Sequence, residues 1–270
     1  MKRTLSLEEI KKTELHILIE FRGICENLGL RYYLSGGTLL GAIRHKGFIP
    51  WDDDIDLAMP RSDYSRLIEF SQKYEHNDYK FIFFDSKGKS LPYAKFVNTK
   101  TLIDAKYADD EMQKHLWLDI MPMDGLPEDS HEVANIYKKA EFYRKIIGLC
   151  NAKLGEGKKP IRKAFKYILK PLALIYGKRR AISNLNHLAV KYDYDTAKYV
   201  GAITWGLYGI SEKMLKKDVD KNAEVMFEGE IFSSFSCWKY YLENLYGDYM
   251  QLPPPEKRIN HEMIVWTDDE

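Results

Sequence analysis

Trp51-Asp52-Asp53-Asp54-Ile55-Asp56-Leu57, with Gly36-Gly37-Thr38-Leu39-Leu40-Gly41 a short way before it, is the stretch from which the rest of the chain is read. Four carboxylates in five residues run directly into an apolar segment. Asp is a poor strand former and neighbouring like charges repel, so structure alone gives little reason for the cluster. Within a strand, period-2 alternation puts Asp54 and Asp56 on one face and Ile55 on the other. Two carboxylates held that way suit a hard divalent cation, Mg²⁺ or in its place Mn²⁺, and such a cation suits phosphate chemistry. An Asp-rich stretch is ordinarily a solvated turn or a helix start. Here Ile55, Leu57, Ala58 and Met59 follow, and Pro60 closes the segment.

The glycine turn strengthens the phosphate reading. Gly36-Gly37 follow the apolar Tyr32-Tyr33-Leu34, where a strand hands over to a helix. Glycines at that junction let a phosphate approach the backbone, and the next helix offers its N-terminal N–H groups and dipole.

Composition sets broad limits. The chain has 270 residues, 45% hydrophobic and 30% charged, with a net charge of +1. These values fit an ordinary soluble globular protein and give no global bias toward nucleic acid. Cys25, Cys150 and Cys237 are widely spaced and read as reduced core residues, not a zinc site. Met1-Lys2-Arg3-Thr4 leads into a polar helix without an apolar signal core. With no run of about 18 apolar residues, the expected location is cytoplasmic.

Ser6 and Glu9 form a capping box, and Leu7, Ile10, Ile17, Phe21, Ile24 and Leu28 follow at helical spacing, so a helix runs to about residue 27 and Gly29 ends it. Expected strands cover 31–34, 55–59, 79–84, 93–97, 102–107 and 115–121. A short helix covers 38–45, and another opens after Pro60. From Ser130 onward the pattern is mainly helical, until Pro253-Pro254-Pro255 forbids helix. The expectation is an α+β fold, a mixed α/β sheet with helices on it, with a catalytic core over 1–129. A mainly helical region then covers 130–270, and its Pro-rich C-terminal segment returns to the active site.

Other residues are candidates on chemistry. Asp119 is a lone charge in the apolar run Leu116-Trp117-Leu118-Asp119-Ile120, which is costly without a partner, whether metal, salt bridge or turn. Asp124, before Gly125, reads as a turn residue. Lys95 in Tyr93-Ala94-Lys95-Phe96-Val97 reads as a cation for phosphate or for the acidic cluster, or as a solvent-facing strand lysine. Arg44 ends the short helix, as a phosphate ligand or as a helix-dipole partner. Arg258 and His261 follow the prolines, suiting a lid or a substrate clamp, with His261 either a proton-transfer group or a structural histidine. Asp52 and Asp53 read as loop acids that tune the site or meet solvent. The stretch 158–180 mixes bases with apolar residues, as in a solvated helix face or a helix resting on an anionic leaflet.

The block from Tyr33 through Arg44, followed by Gly47-Phe48-Ile49-Pro50-Trp51-Asp52-Asp53-Asp54-Ile55-Asp56, resembles the LicD family. Leu118-Asp119-Ile120-Met121-Pro122-Met123-Asp124-Gly125 and Tyr246-Gly247-Asp248-Tyr249-Met250 extend the likeness over most of the chain. That family includes bacterial phosphocholine transferases, with fukutin-type proteins as distant relatives. The resemblance implies a nucleotidyltransferase-like fold and metal-dependent transfer of a phosphoalcohol from a CDP-activated donor. In the phosphocholine branch the donor is CDP-choline, the acceptor is a sugar hydroxyl on a lipid-linked teichoic acid or lipopolysaccharide precursor, and CMP leaves. Asp54 and Asp56 match the metal-binding pair, Asp119 is assigned as the third carboxylate, and Gly36, Gly37 and Thr38 match the turn near the donor phosphates. A lipid-linked acceptor gives the basic tract a reason to lie at the inner leaflet. Glycerol phosphate or ribitol phosphate transfer, nucleotidyl transfer with pyrophosphate release, and a non-catalytic binding role are the competing readings.

Overall fold

The acidic segment feeds the second strand of a five-strand path at the centre of the molecule. In a computed structural model of the chain, residues 2–83, 92–104, 114–152, 154–155, 160–258 and 263–268 are described, with the backbone alone for 2, 160–165 and 268. The first part comprises β1 (Lys2–Thr4), α1 (Leu7–Leu28), β2 (Tyr33–Leu34), α2 (Gly36–Arg44), β3 (Ile55–Pro60) and α3 (Arg61–Ser71). Next come β4 (Tyr79–Ile82), β5 (Ala94–Asn98), β6 (Thr101–Ile103) and β7 (Trp117–Leu126). Three helices follow: α4 (Ser130–Asn151), α5 (Pro160–Tyr176) and α6 (Lys178–Ala189). The remainder is β8 (Tyr199–Gly201), β9 (Met214–Leu215), α7 (Lys216–Val219), β10 (Asn222–Phe227), β11 (Glu230–Phe235), α8 (Trp238–Tyr246) and β12 (Val265–Asp268).

The main sheet runs β2-β3-β7-β5-β4, and β8 and β9 continue it from the far end of β7. Only β3 and β7 pair in parallel; their neighbours on the path are antiparallel. This is the mixed α+β architecture expected. α1 has the Ser6–Glu9 capping box at its start and Gly29 in the left-handed region (φ 59°) at its end. Ile17, Leu18 and Phe21 of α1 are fully buried. Phe21 meets Phe96 at 5.9 Å and Phe81 at 6.5 Å between ring centroids. Burying a side chain of this size contributes about 1.5–3 kcal/mol, so the row fixes α1 across the sheet.

Two corrections concern the second half. Helix dominates from Ser130 to Ala189, but β8 to β11 then appear in a region expected to be helical. The β10–β11 hairpin turns through Glu228 (φ 52°) and Gly229 (φ 83°), two consecutive positive-φ residues of the kind that match strand twist. A left-handed Glu is strained. Its partners offset that: the Glu228 N–H donates to the Lys46 carbonyl at 2.8 Å, and Oε1 accepts from the Phe48 N–H at 2.9 Å. With Phe48 against Phe227 at 4.8 Å, the hairpin tip pins the loop that leads to the acidic segment. The second correction is Asp124, which is no turn residue. It lies inside β7, fully buried, with Arg61 Nε 2.5 Å from its Oδ1. Burial pushes its carboxyl up and Arg61 opposes that.

A second apolar cluster joins α4 to α6 through Val133, Ile136, Ala140, Ile182, Leu185 and Ala189. α5 contributes Ala173 to it and turns Ile168, Leu172 and Ile175 to the outside, Ile175 being 82% exposed. Of the cysteines only Cys25 is a buried core residue; Cys150 and Cys237 are half-buried, and all three are free.

Candidate active site

Three charged residues lie side by side across three strands. Asp56 of β3 is level with Asp119 of β7, and Asp119 is level with Lys95 of β5. Lys95 and Asp119 are both buried, with Nζ 3.0 Å from Oδ1. The Lys95 ammonium also sits 3.7 Å from the Trp117 ring centroid. Lys95 is therefore the partner of an acid, not a solvent-facing lysine. Asp119, costly alone in an apolar strand, has its partner here.

The glycine turn serves the carboxylates through close approach. Gly36 opens α2 at φ 53°, a conformation that disfavours any side chain. A methyl there would meet Asp56 Oδ2 at 3.0 Å, and one on Gly37 would meet Asp52 Oδ2 at 2.8 Å. Thr38 Oγ1 accepts from the Asp56 N–H at 2.9 Å, and the Asp56 carbonyl accepts from the Ser35 N–H at 3.1 Å. The start of α2 is thus stitched to β3 beside Asp56. Its dipole favours negative charge there, whether carboxylate or phosphate.

Strand β3 begins at Ile55, so Asp54 precedes it. Asp54 and Asp56 are half-buried on either side of buried Ile55, as alternation expects. Burial, followed by the charges of Asp54, Asp119 and Asp52, pushes the Asp56 carboxyl well above the usual range, and Lys95 works against it. Asp53 does not meet solvent, being 2% exposed. Under the loop lies Glu14 of α1, which sequence reasoning missed. It is buried, and burial with Asp54, Asp53 and Asp52 nearby pushes its carboxyl well up. Its signal was legible: a charge on the apolar stripe of α1, spaced i+4 from Ile10 and i+3 to Ile17.

The remaining candidates divide. Arg44 Nη1 donates to the Tyr249 carbonyl at 2.7 Å, so this guanidinium ties the C-terminal segment to α2. Arg258 donates from Nε to the Pro253 carbonyl at 2.8 Å and lies 5.1 Å from the Trp51 ring centroid, next to the acidic loop. These contacts set the end of the Pro-rich segment against Trp51. His261 lies outside the described residues, as do Lys158 and Lys159 of the basic tract. Tyr241 and Tyr246 of α8, unforeseen, complete one side: the Gly36 N–H donates to Tyr241 Oη at 3.2 Å. In sequence two aromatics among the apolar residues of a helix look like plain core.

The donor set is all oxygen, which fits a hard cation. Among the described residues no three His, Cys, Asp or Glu side chains form a closed metal-binding group. Mg²⁺ seldom needs one, since one or two carboxylates with water and substrate phosphates suffice. Asp54 and Asp56 fit that role, because a cation between them would relieve the repulsion that raises Asp56.

An acidic pair beside a glycine turn on a mixed sheet suits phosphate chemistry. A family profile described as LicD/FKTN/FKRP, nucleotidyltransferase domain, matches residues 29–148. The chain is 32% identical over 267 residues to the lipopolysaccharide cholinephosphotransferase LicD of Haemophilus influenzae, covering 97% of each protein. It is 42% identical over 57 residues to the human ribitol 5-phosphate transferase FKRP, covering 21% of this chain and 11% of that one. An uncharacterized protein of Rickettsia prowazekii is 31% identical over 146 residues, 52% of this chain and 48% of the other. The chain belongs to the LicD family and is an enzyme that transfers phosphoalcohol groups.

Proposed function

We propose that this enzyme transfers phosphocholine from CDP-choline to a sugar hydroxyl of a bacterial surface-glycan precursor of the lipopolysaccharide type, releasing CMP. The observation that carries the reading is the end-to-end similarity to a lipopolysaccharide cholinephosphotransferase, with the acidic pair and glycine turn intact. Asp54 and Asp56 would hold Mg²⁺, which supplies positive charge against the diphosphate and the departing CMP. The acceptor oxygen attacks the distal phosphorus in line, a new O–P bond forms, and the bond to the CMP oxygen breaks. Asp119, oriented by Lys95, takes the acceptor's proton. The N-terminus of α2 faces the diphosphate, and Arg258 closes over it from the Pro-rich segment. Positioning and electrostatics account for the rate, since phosphoryl transfer asks little covalent chemistry of a protein.

Among the described residues no helix is long and apolar enough to cross a membrane. The outward stripe Ile168, Leu172 and Ile175 of α5, with Lys166 and Lys170 on the same helix and Lys178, Arg179 and Arg180 just after it, suits the surface of an anionic leaflet where a lipid-linked acceptor would lie. The test of the catalytic reading is product analysis: CMP release from CDP-choline, dependent on Mg²⁺ and stimulated by a glycan acceptor.

A further inference from the structure

Beside Asp56 and Gly36 opens a cavity of about 150 Å³. Its walls include Trp205, Tyr208, Tyr241 and Tyr246, with methionines and leucines between them. Tyr208 and Tyr246 meet edge to face at 5.5 Å between ring centroids, and their hydroxyls hydrogen-bond to each other. Tyr241 Oη is engaged by the Gly36 N–H. One carboxylic acid away from the Asp cluster, Glu212, also lines this cavity and is 5% exposed. It accepts from the Tyr208 N–H at 3.1 Å. The Arg144 guanidinium, whose charge acts on Glu212, makes its hydrogen bonds to the carbonyls of Ile203 and Gly206, both at 2.8 Å. Among the described residues Glu212 forms no ion pair.

Resting on the phosphocholine reading, we infer that this cavity seats the quaternary ammonium of the transferred group, with Trp205, Tyr208, Tyr241 and Tyr246 as an aromatic cage and Glu212 as counter-charge. Aromatic faces attract a cation within about 6 Å, most strongly when water is excluded. A buried carboxylate without an ion-pair partner is costly, and a cationic ligand supplies one. A trimethylammonium asks for no hydrogen bonds, which suits walls whose hydroxyls are already engaged. A polyol such as ribitol would leave several of its own hydroxyls unpaired there, at a cost for each. The position also agrees with the chemistry: choline hangs directly from the transferred phosphorus, so its pocket must adjoin Asp56, as this one does. The cage is thus a specificity determinant for choline over other phosphoalcohols.

The test measures binding and turnover by the full chain with CDP-choline, CDP-ribitol and the CDP ester of 3,3-dimethylbutanol, in which carbon replaces nitrogen. Wild type should prefer CDP-choline over the neutral isostere by about 10- to 30-fold. Glu212→Gln should remove most of that preference by weakening choline binding far more than it alters binding of the isostere. Tyr246→Leu should weaken CDP-choline by a similar factor, and Trp205→Leu is read instead if that variant does not fold. A wild-type enzyme that consumes CDP-choline but binds the isostere equally well overturns the cage alone, as does an unchanged preference in Glu212→Gln. Turnover of CDP-ribitol with CDP-choline untouched overturns the phosphocholine reading and the cage with it.

Discussion

Asp56 and Asp119 are register partners on the parallel strands β3 and β7, which brings two acids from distant parts of the sequence to one point on the sheet. The lysine beside them neutralises only one. Replacing Asp56 with Asn removes the charge and keeps the shape. Phosphotransfer should fall by on the order of 10³-fold or more, as when other preorganised charges are removed. Thermal unfolding should show a Tm no lower than wild type, because the lost carboxyl sits among like charges.

Lys95→Met leaves Asp119 buried without its ammonium. Breaking such a pair from one side costs about 3–5 kcal/mol, read by urea unfolding. The double variant Lys95→Met with Asp119→Leu should regain much of that stability while remaining inactive.

Gly36→Ala places a methyl 3.0 Å from Asp56 Oδ2 in a left-handed backbone. The backbone strain alone is about 1–2 kcal/mol. CMP release should drop at least about tenfold, since the added methyl displaces the carboxylate. Gly23→Ala, which meets nothing within 4 Å in mid-helix, is the control and should be neutral or slightly stabilising.

Burial pushes the Glu212 carboxyl up to about 7, from an ordinary value of 4.5. The folded chain then holds this proton more tightly than the unfolded one. Its contribution is complete below pH 4.5 and is lost as pH rises toward 7. Over that window it amounts to about 3 kcal/mol at 1.36 kcal/mol per unit. Glu212→Gln should therefore gain stability relative to wild type as pH rises from 5 to 8, measured by chemical unfolding of the ligand-free protein. A constant difference across that range would sink this account of the buried acid.

Exchanging Ile168, Leu172 and Ile175 together for Ser removes the outward apolar stripe of α5 without touching buried Ala173. Co-flotation with vesicles containing anionic lipid should fall severalfold, and activity on a water-soluble acceptor should persist. Equal flotation of wild type with neutral and anionic vesicles would remove the leaflet contact.

The sequence was most legible where chemistry and local pattern coincide. The α1 cap and stop, the strand carrying Asp56, and the glycine turn are all local signals, and each stands where its residues place it. What could not be read was pairing between distant segments. Lys95 and Asp119 become partners only through strand register, and Asp124 reads as a turn beside Gly125 until Arg61 is found against it. The β10–β11 hairpin escaped because its turn uses Glu228, a residue that rarely adopts positive φ and does so here held by Lys46 and Phe48. Tyr241, Tyr246 and Glu212 look like helix core and a surface charge in one dimension. Only the fold gathers them beside Asp56.

The central claim is tested most directly by incubating the purified full chain with CDP-choline and Mg²⁺, with and without a lipopolysaccharide-type glycan acceptor, and identifying the nucleotide product. The account predicts acceptor-stimulated CMP, phosphocholine on the glycan, and loss of both with EDTA or Asp56→Asn. Pyrophosphate release from a nucleoside triphosphate, with CDP-choline left intact, would contradict it.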